Sequence, residues 1–315
     1  MLQDGVTSSS SLSACPLCGS TSHHPVLTKS GFAIVSCCQC NFMYVCPIPT
    51  QEFLHLHYQN PAYFHGEEQQ GYLDYATMHK ALLPHFNRRL RTIDTRLPGK
   101  GWILDYGCAD GYFLDLARKS GWQIDGVELA QPMRVKASDT LGIDIHASLD
   151  DVAHNRYDGV TLWEVVEHLP NPIGTLQQIL DYMRPGGLLM LSTPNNAFWQ
   201  AKDEPLKWIA FRPPSHLLFF TPATLKAALE LAGFRDIEIY GVSPLPKLPA
   251  WFRHLMQPLQ QSLANGTAQH WRTSLFVWRA VRFAGLMWHW MTSQRDDVYT
   301  TLEAIAYRPI ATKSK

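Results

Sequence analysis

The chain has 315 residues, 46% hydrophobic and 17% charged, a balance that excludes a disordered or fibrous protein and leaves room for one substantial core plus a small module. Lysine plus arginine equals aspartate plus glutamate at 27 each, which excludes a global field that would draw the chain to nucleic acid. No apolar run reaches the roughly 18 residues of a membrane span, and residues 1–14, with Asp4 and neither a basic nor an apolar region, predict a disordered tail instead of a secretory leader. The expected compartment is the cytoplasm, where thiols stay reduced.

Six of the seven cysteines fall between Cys15 and Cys46, a clustering that in a reducing compartment predicts metal binding before disulfides. Cys15 and Cys18 flank a turn closed by Gly19, and Cys37 and Cys40 flank one closed by Asn41, residues that tolerate the left-handed backbone of a thiolate knuckle. Residues 15–48 are therefore expected to form a zinc ribbon on Cys15, Cys18, Cys37 and Cys40, with Cys38 and Cys46 outside the ligand set. Lys29 is the one basic residue between Cys15 and Cys46, too little charge for phosphate binding, so nucleic acid is not the favoured partner and the ribbon reads as support or as a wall of the substrate site.

Residues 49–98 predict a helical connector rich in aromatics, Tyr58, Tyr63, Phe64, Tyr72 and Tyr75. His79 to Leu97 has helical spacing, with Arg88, Arg89, Arg91 and Arg96 expected on a solvated face. The stretch that organises the chain follows. Trp102 to Leu104 form an apolar run ending in Asp105, Gly107 and Gly111 permit a tight turn that points N–H groups at a ligand, and Leu114, Leu116 and Ala117 form the packing face of a helix. Gly121 ends that helix, and Ile124 to Val127 form a second strand that delivers Glu128 to a sheet edge, where a carboxylate can accept hydrogen bonds from ribose hydroxyls.

Asp105-x-Gly107-x-Ala109-x-Gly111 is acid-first, unlike the three-glycine dinucleotide fingerprint. In this form the stretch resembles motif I of class I S-adenosylmethionine-dependent methyltransferases, with Ala109 where that family most often has glycine and Glu128 matching its ribose-binding acid. The resemblance implies an α/β, Rossmann-like, seven-stranded, mostly parallel sheet with an antiparallel last strand, its core spanning residues 99–243. It also implies S-adenosylmethionine contacts at Asp105, Gly107, Cys108, Gly111, Glu128, Leu129, Leu149 and Trp163. The cysteine segment together with Pro47 to Thr50, Tyr58, Pro61, Tyr63 and Phe64 resembles the N-terminal zinc-ribbon segment of a subgroup that methylates sugars, lipids and other small molecules.

Beyond Glu128, a helix over Pro132 to Leu141, a third strand Ile143 to His146 and a fourth Tyr157 to Trp163 are expected. Glu164, Glu167 and His168 then gather just past a parallel strand, where crevices of open α/β sheets hold their ligands. Three readings stand for them: His168 as the base that takes a hydroxyl proton, a satisfied structural histidine, or a divalent cation site (Mg2+) on Glu164, Glu167 and His168. The last is implied by resemblance to ubiquinone-pathway O-methyltransferases and small-RNA 2′-O-methyltransferases. Residues 188–192 form a strand, 196–214 a loop read as a substrate lid, and His216, expected at the crevice mouth, is the second acid/base candidate or a further metal ligand. Thr221 caps a helix opened by Pro222, and two strands, Asp236 to Val242 and Thr301 to Tyr307, close the fold.

A helical insertion over residues 244–297 interrupts that last pair, leaving residues 298–315 for the final strand and tail. From Ile239 to Arg295 there is no acidic residue, whereas Lys247, Arg253, Arg272, Arg279, Arg282 and Arg295 are present together with Trp251, Trp271, Trp278, Trp288 and Trp290. Trp251, Phe252, Leu255, Met256 and Leu259 recur at helical spacing with Arg253, His254 and Gln257 between them, the pattern of an interfacial helix, and the competing reading is a helical pair packed on the body or at a dimer interface. Packing on the body or at a dimer interface is the favoured reading, with peripheral contact with the inner face of a membrane through residues 247–291 as the alternative. The expected function is methyl transfer to a small-molecule acceptor, a sugar, polysaccharide precursor or lipid-linked hydroxyl, with Glu167, His168 and His216 as catalytic residues. An rRNA or tRNA methyltransferase reading through the ribbon and a cofactor-binding scaffold without turnover are the alternatives.

Overall fold

The computed structural model describes residues 14–59, 75–248, 271–292 and 297–310, with the single positions 251 and 258. Residues 1–13 of the expected tail, the connector aromatics Tyr63, Phe64 and Tyr72, and Phe252 to Gln257 with Leu259 of the expected interfacial helix lie outside the described residues.

Short alternating apolar runs and left-handed turn residues make the first sheet. Strands β1 (His23–Lys29) and β2 (Phe32–Cys37) pair antiparallel through Ser30 and Gly31, both at positive φ as a two-residue hairpin requires, and β3 (Met43–Val45) returns against β2. A fourth strand from far along the chain, β8 (Leu218–Phe219), pairs antiparallel with β3, Met43 opposite Phe219 and Tyr44 opposite Leu218. The segment expected only to lead into a helix thus completes the ribbon sheet.

Helix α1 (Gln51–Gln59) and the long α2 (Tyr75–Arg96) form the connector. On α2, Phe86, Leu90 and Ile93 share one buried face, and three-residue spacing puts Arg89 on it. This corrects the expectation of a solvated arginine face. Arg91 and Arg96 are exposed, but Arg89 is buried and, with Arg88, donates to the fully buried Glu303 at 2.9 Å from each. A buried carboxylate needs such partners, and two guanidiniums supply them.

The core alternates strand and helix: β4 (Trp102–Tyr106), α3 (Tyr112–Lys119), β5 (Gln123–Val127), α4 (Gln131–Leu141), β6 (Tyr157–Trp163), α5 (Pro172–Tyr182), β7 (Met183–Pro194), α7 (Pro222–Ala232), β9 (Arg235–Pro244) and β10 (Tyr299–Tyr307), with a short α6 (Trp199–Asp203) after β7. The main sheet runs in the order β5-β4-β6-β7-β10-β9. The β4–β5, β4–β6 and β6–β7 pairs are parallel, and the reciprocal bonds of Arg308 with Gly186 and Gly187, set against Asn195 with Thr300, make β10 antiparallel to β7. The expected third strand shrinks to a single parallel bridge of His146 to Val127. Thr221 caps α7 through a reciprocal bond with Thr224 as its sequence predicts.

The chain divides into two compact units, one of residues 1–194, 209–240 and 302–315, the other of residues 195–208 and 241–301. In the second unit part of the expected loop is instead ordered: α6 is helical, Phe198, Trp199 and Trp208 are buried, and the Trp199 indole donates to the Leu245 carbonyl at 2.9 Å. The long helix α8 (Trp271–Thr292) also belongs to this unit, its His289 paired with Asp297 at 3.2 Å.

Candidate active site

The strand ends β4, β5 and β6 all point to one edge of the parallel sheet, where α/β folds bind ligands. A cavity of about 850 Å³ opens there. Its lining comes from the loops after these strands, from α1 and from the first turns of α5. Gly107 sits at φ 81°, and a Cβ there would lie 2.6 Å from a Val165 methyl, so the turn is closed to any larger residue. Glu128 lies across from that turn. One of its oxygens accepts from the Ala109 N–H at 2.9 Å and the other from the Ala130 N–H at 2.8 Å. Burial raises its pKa and those two backbone donors oppose the rise.

The expected cofactor residues divide between cavity wall and support. Gly107, Glu128, Leu129, Leu149 and Trp163 line the cavity; Asp105, Cys108 and Gly111 do not. Asp105 is buried behind the turn, where Thr161 donates to it at 2.6 Å, and burial with the nearby Glu128 lifts its pKa to about 7. Cys108 is buried beside Gly126, and Gly111, at φ 79°, starts α3 against Leu141 and Ala137. Trp163 carries a guanidinium on its ring, Arg89 at 4.3 Å, and its indole nitrogen is buried with no partner among the described residues.

Past β6 a single turn of 3-10 helix, Val166–His168, sets the catalytic candidates. Glu164 enters it at φ 57° and lines the cavity with His168. The His168 Nδ1 is 3.0 Å from the Tyr58 hydroxyl of α1, and that hydroxyl donates to the Ser215 carbonyl at 3.2 Å. Burial, and then the charge of Arg212, pushes the His168 pKa down to about 3. Glu167 is fully buried, accepts from Thr193 at 2.9 Å on one oxygen and has no partner among the described residues on the other. Burial and the neighbouring Glu164 raise its pKa well above the carboxylate range.

His216 does not reach the crevice mouth. It is 5% exposed behind His168, ring centroids 4.8 Å apart, with Nδ1 donating to the Ala210 carbonyl at 2.9 Å and Nε2 facing Arg212 at 3.0 Å. Both nitrogens are thereby occupied. The ligand atoms that come together, within 4.8 Å of one another, belong to Glu167, His168 and His216, and not to the expected Glu164, Glu167 and His168. The Arg212 guanidinium beside this trio repels a divalent cation, so these residues do not fit Mg2+.

Sequence reasoning missed Tyr58 as a partner of His168, Thr161 as the donor to Asp105, and Arg89 as the cation behind Trp163. Their contacts span 110, 56 and 74 residues of chain, and only Tyr58 carried a signal, its place in an aromatic run.

The residues present fit S-adenosylmethionine. The cavity has the volume of a cofactor with room for an acceptor, a turn too tight for a Cβ approaches it, and the half-buried carboxylate of Glu128 stands at its wall. A family model described as a methyltransferase domain matches residues 76–239, more than half of the chain. The chain is 28% identical over 218 residues to the ubiquinone biosynthesis O-methyltransferase of Dinoroseobacter shibae, a match covering 64% of this chain and 82% of that protein. It is 30% identical over 171 residues to the one from Xanthomonas axonopodis pv. citri, covering 49% and 71% respectively. Among solved structures, a SAM dependent methyltransferase from Archaeoglobus fulgidus has a TM-score of 0.50 at 20% identity, over 74% of this chain and 99% of that one, a likeness of fold. The domain match runs through the whole parallel part of the sheet, and this chain belongs to the class I S-adenosylmethionine-dependent methyltransferases.

Proposed function

We propose that the enzyme methylates a hydroxyl of a small acceptor that carries no phosphate, such as a sugar, phenol or lipid-like alcohol. The observation that carries this reading is the charge of the cavity wall: among the described residues it presents Glu52, Glu128, Asp150 and Glu164 and no lysine or arginine. Residues 60–74, which follow α1, hold no lysine or arginine either. At an effective dielectric of 20, one like-charge pair 6 Å apart costs about 3 kcal/mol, so a phosphorylated or polyanionic acceptor meets repulsion from these carboxylates with no lysine or arginine of the described wall to offset it. O-methylation is supported by the curated relatives, which are ubiquinone biosynthesis O-methyltransferases.

When bound, the cofactor would supply an electrophilic methyl group on a sulfonium. The protein's part is placement. Glu128 would hold the ribose hydroxyls, Gly107 would let the backbone approach, and Leu129, Leu149 and Trp163 would give the apolar contacts, while Asp105 lies buried against Thr161 at the end of β4. His168, which lines the cavity, is the group placed to take the hydroxyl proton, and the burial that pushes its pKa down to about 3 makes it a weaker base than an ordinary imidazole. Replacing Glu128 with Ala should weaken S-adenosylhomocysteine binding by about tenfold to a hundredfold, the worth of one or two hydrogen bonds to a charged group; calorimetry showing unchanged affinity refutes the assignment.

Zn2+ in the ribbon is part of the same reading. The Cys15 and Cys40 sulfurs are 3.6 Å apart and those of Cys18 and Cys37 3.5 Å, with all four within 4.8 Å. A tetrahedron with metal–sulfur bonds of about 2.3 Å needs sulfurs about 3.8 Å apart. Cys38 and Cys46 stand apart from the set, near His24 at 3.7 Å and His23 at 3.8 Å.

Contact with a membrane surface is supported by α8, which is apolar on its exposed side. Phe276, Phe283, Trp290 and Met291 are 72%, 64%, 52% and 70% exposed, whereas Gly285 and His289 on the opposite side are buried. No described helix is long and apolar enough to cross a membrane.

A further inference from the structure

The ribbon has no residue in the cavity wall, and yet its sheet ends at the catalytic histidine. The Val45 N–H at the end of β3 donates to the Leu217 carbonyl at 2.8 Å, and the Leu217 N–H donates to the Glu167 carbonyl at 2.9 Å, one residue before His168. A single fully buried residue therefore carries a backbone bond to the ribbon on one side and to the 3-10 turn of His168 on the other. The strand continues from Leu217 into the β3–β8 pairing, where Phe220 packs on Phe42 of the ribbon at 5.0 Å. In the other direction lie His216, edge-on to His168, and Ser215, whose carbonyl accepts from Tyr58 beside the His168 Nδ1. His57, next to Tyr58 on α1, is 3.1 Å from the Ser215 hydroxyl.

We infer that the N-terminal ribbon is a positioning element for His168: β3 fixes the strand of Ser215 to Phe219, and that strand fixes both the backbone turn and the ring of the histidine. The inference rests on the reading of His168 as the proton acceptor only for its consequence in turnover; the placement itself holds without it. The physical case is one of order. A 3-10 turn of three residues has few internal bonds with which to hold a side chain to the fraction of an ångström that a proton transfer needs, and the outside bond from Leu217 is a backbone bond in a dry environment.

The test is Val45→Pro, which deletes the one N–H that holds Leu217, against Val45→Ala, which keeps it. Imidazole ring resonances of His168, assigned by comparison with His168→Gln, are read in the full chain with S-adenosylhomocysteine bound. The expected result is a displaced His168 ring signal in Val45→Pro, a wild-type signal in Val45→Ala, and S-adenosylhomocysteine affinity within twofold of wild type in both. Where an active acceptor is in hand, kcat falls at least tenfold with the KM for cofactor unchanged. An unmoved His168 signal in Val45→Pro, or the same displacement in Val45→Ala, overturns the inference. Should Val45→Pro not fold, Phe42→Leu decides: it loosens the ribbon against Phe220 and keeps every backbone bond, and a His168 signal identical to wild type in it overturns the inference equally. Failure of His168 as the base would show separately, as full turnover in His168→Gln.

Discussion

His168 and Glu167 are adjacent in the chain and titrate in opposite directions for the same reason, since burial disfavours whichever form is charged. The imidazole is held neutral down to about pH 3, and the carboxyl is held protonated well above its ordinary range. The unfolded imidazole titrates near 6.5, so from pH 6.5 downward the unfolded chain takes up protons that folded His168 and His216 refuse, and stability falls as pH falls through that window. Glu167 acts with the opposite sign, its neutral form in the fold becoming less costly on acidification. The expected observation is a His168 ring resonance that does not titrate between pH 5 and 8, together with a pH–rate profile lacking a limb near 6.5. A titration midpoint close to the ordinary value would show that solvent reaches the ring and that the low pKa is wrong. The sequence showed Glu164, Glu167 and His168 as a cluster, which they are along the chain. It did not show which of them face the cavity, because a turn of 3-10 helix entered at positive φ sends neighbouring side chains in different directions.

At the scale of elements, the strand–turn–helix–strand of residues 101–130 was legible because its signals are local: an apolar run, glycines at positive φ, and a helix with one apolar face. The arginines of α2 were not, because their partner is on the last strand. Glu303 joins α2 to β10 from a fully buried position, and although burial alone would raise its pKa, the guanidiniums of Arg88 and Arg89 hold it down. Its stabilising contribution is present at neutral pH and lost as pH falls through that depressed value. Glu303→Ala leaves a buried Arg89 without its carboxylate, and removal of one partner of such a pair costs about 3–5 kcal/mol. The expected outcome is a Tm lower by several degrees, accompanied by a changed Trp163 fluorescence because Arg89 rests on that ring. A Tm within a degree of wild type would mean that Arg89 finds water in the variant and that the clamp is not a stability determinant. Arg96, exposed and paired with Glu238 at 2.6 Å, is the contrasting case, and Arg96→Ala should cost well under about 1 kcal/mol.

At the scale of the whole molecule, a net charge of zero conceals a chain sorted by charge, with every acid missing from residues 239–295. The described helix of that region, α8, turns its aromatic side outward and flanks it with the exposed Arg279. Tryptophan and phenylalanine with arginine at the margin suit the headgroup boundary of an anionic bilayer. Full-length protein is expected to float with phosphatidylglycerol-containing vesicles and less with neutral ones, and Phe283→Glu to reduce that recovery at least fivefold with cofactor affinity unchanged. Equal recovery from both vesicle types, or concentration-dependent dimerisation lost in Phe283→Glu without any vesicle binding, would assign the face to another copy of the chain.

The sequence by itself determined the sheet edge, its glycine turn, the acid that closes the second strand, the four-cysteine knuckles and the cap of α7, since each is set by φ preference, periodicity or spacing within a few residues. Only the tertiary structure decided that β8 belongs to the ribbon, that Tyr58 and not His216 lines the cavity beside His168, that Asp105 is buried against Thr161, and that Arg89 is buried with Glu303. Those outcomes depend on which distant segments become neighbours, and burial among them fixes both the charge and the partner of each polar group.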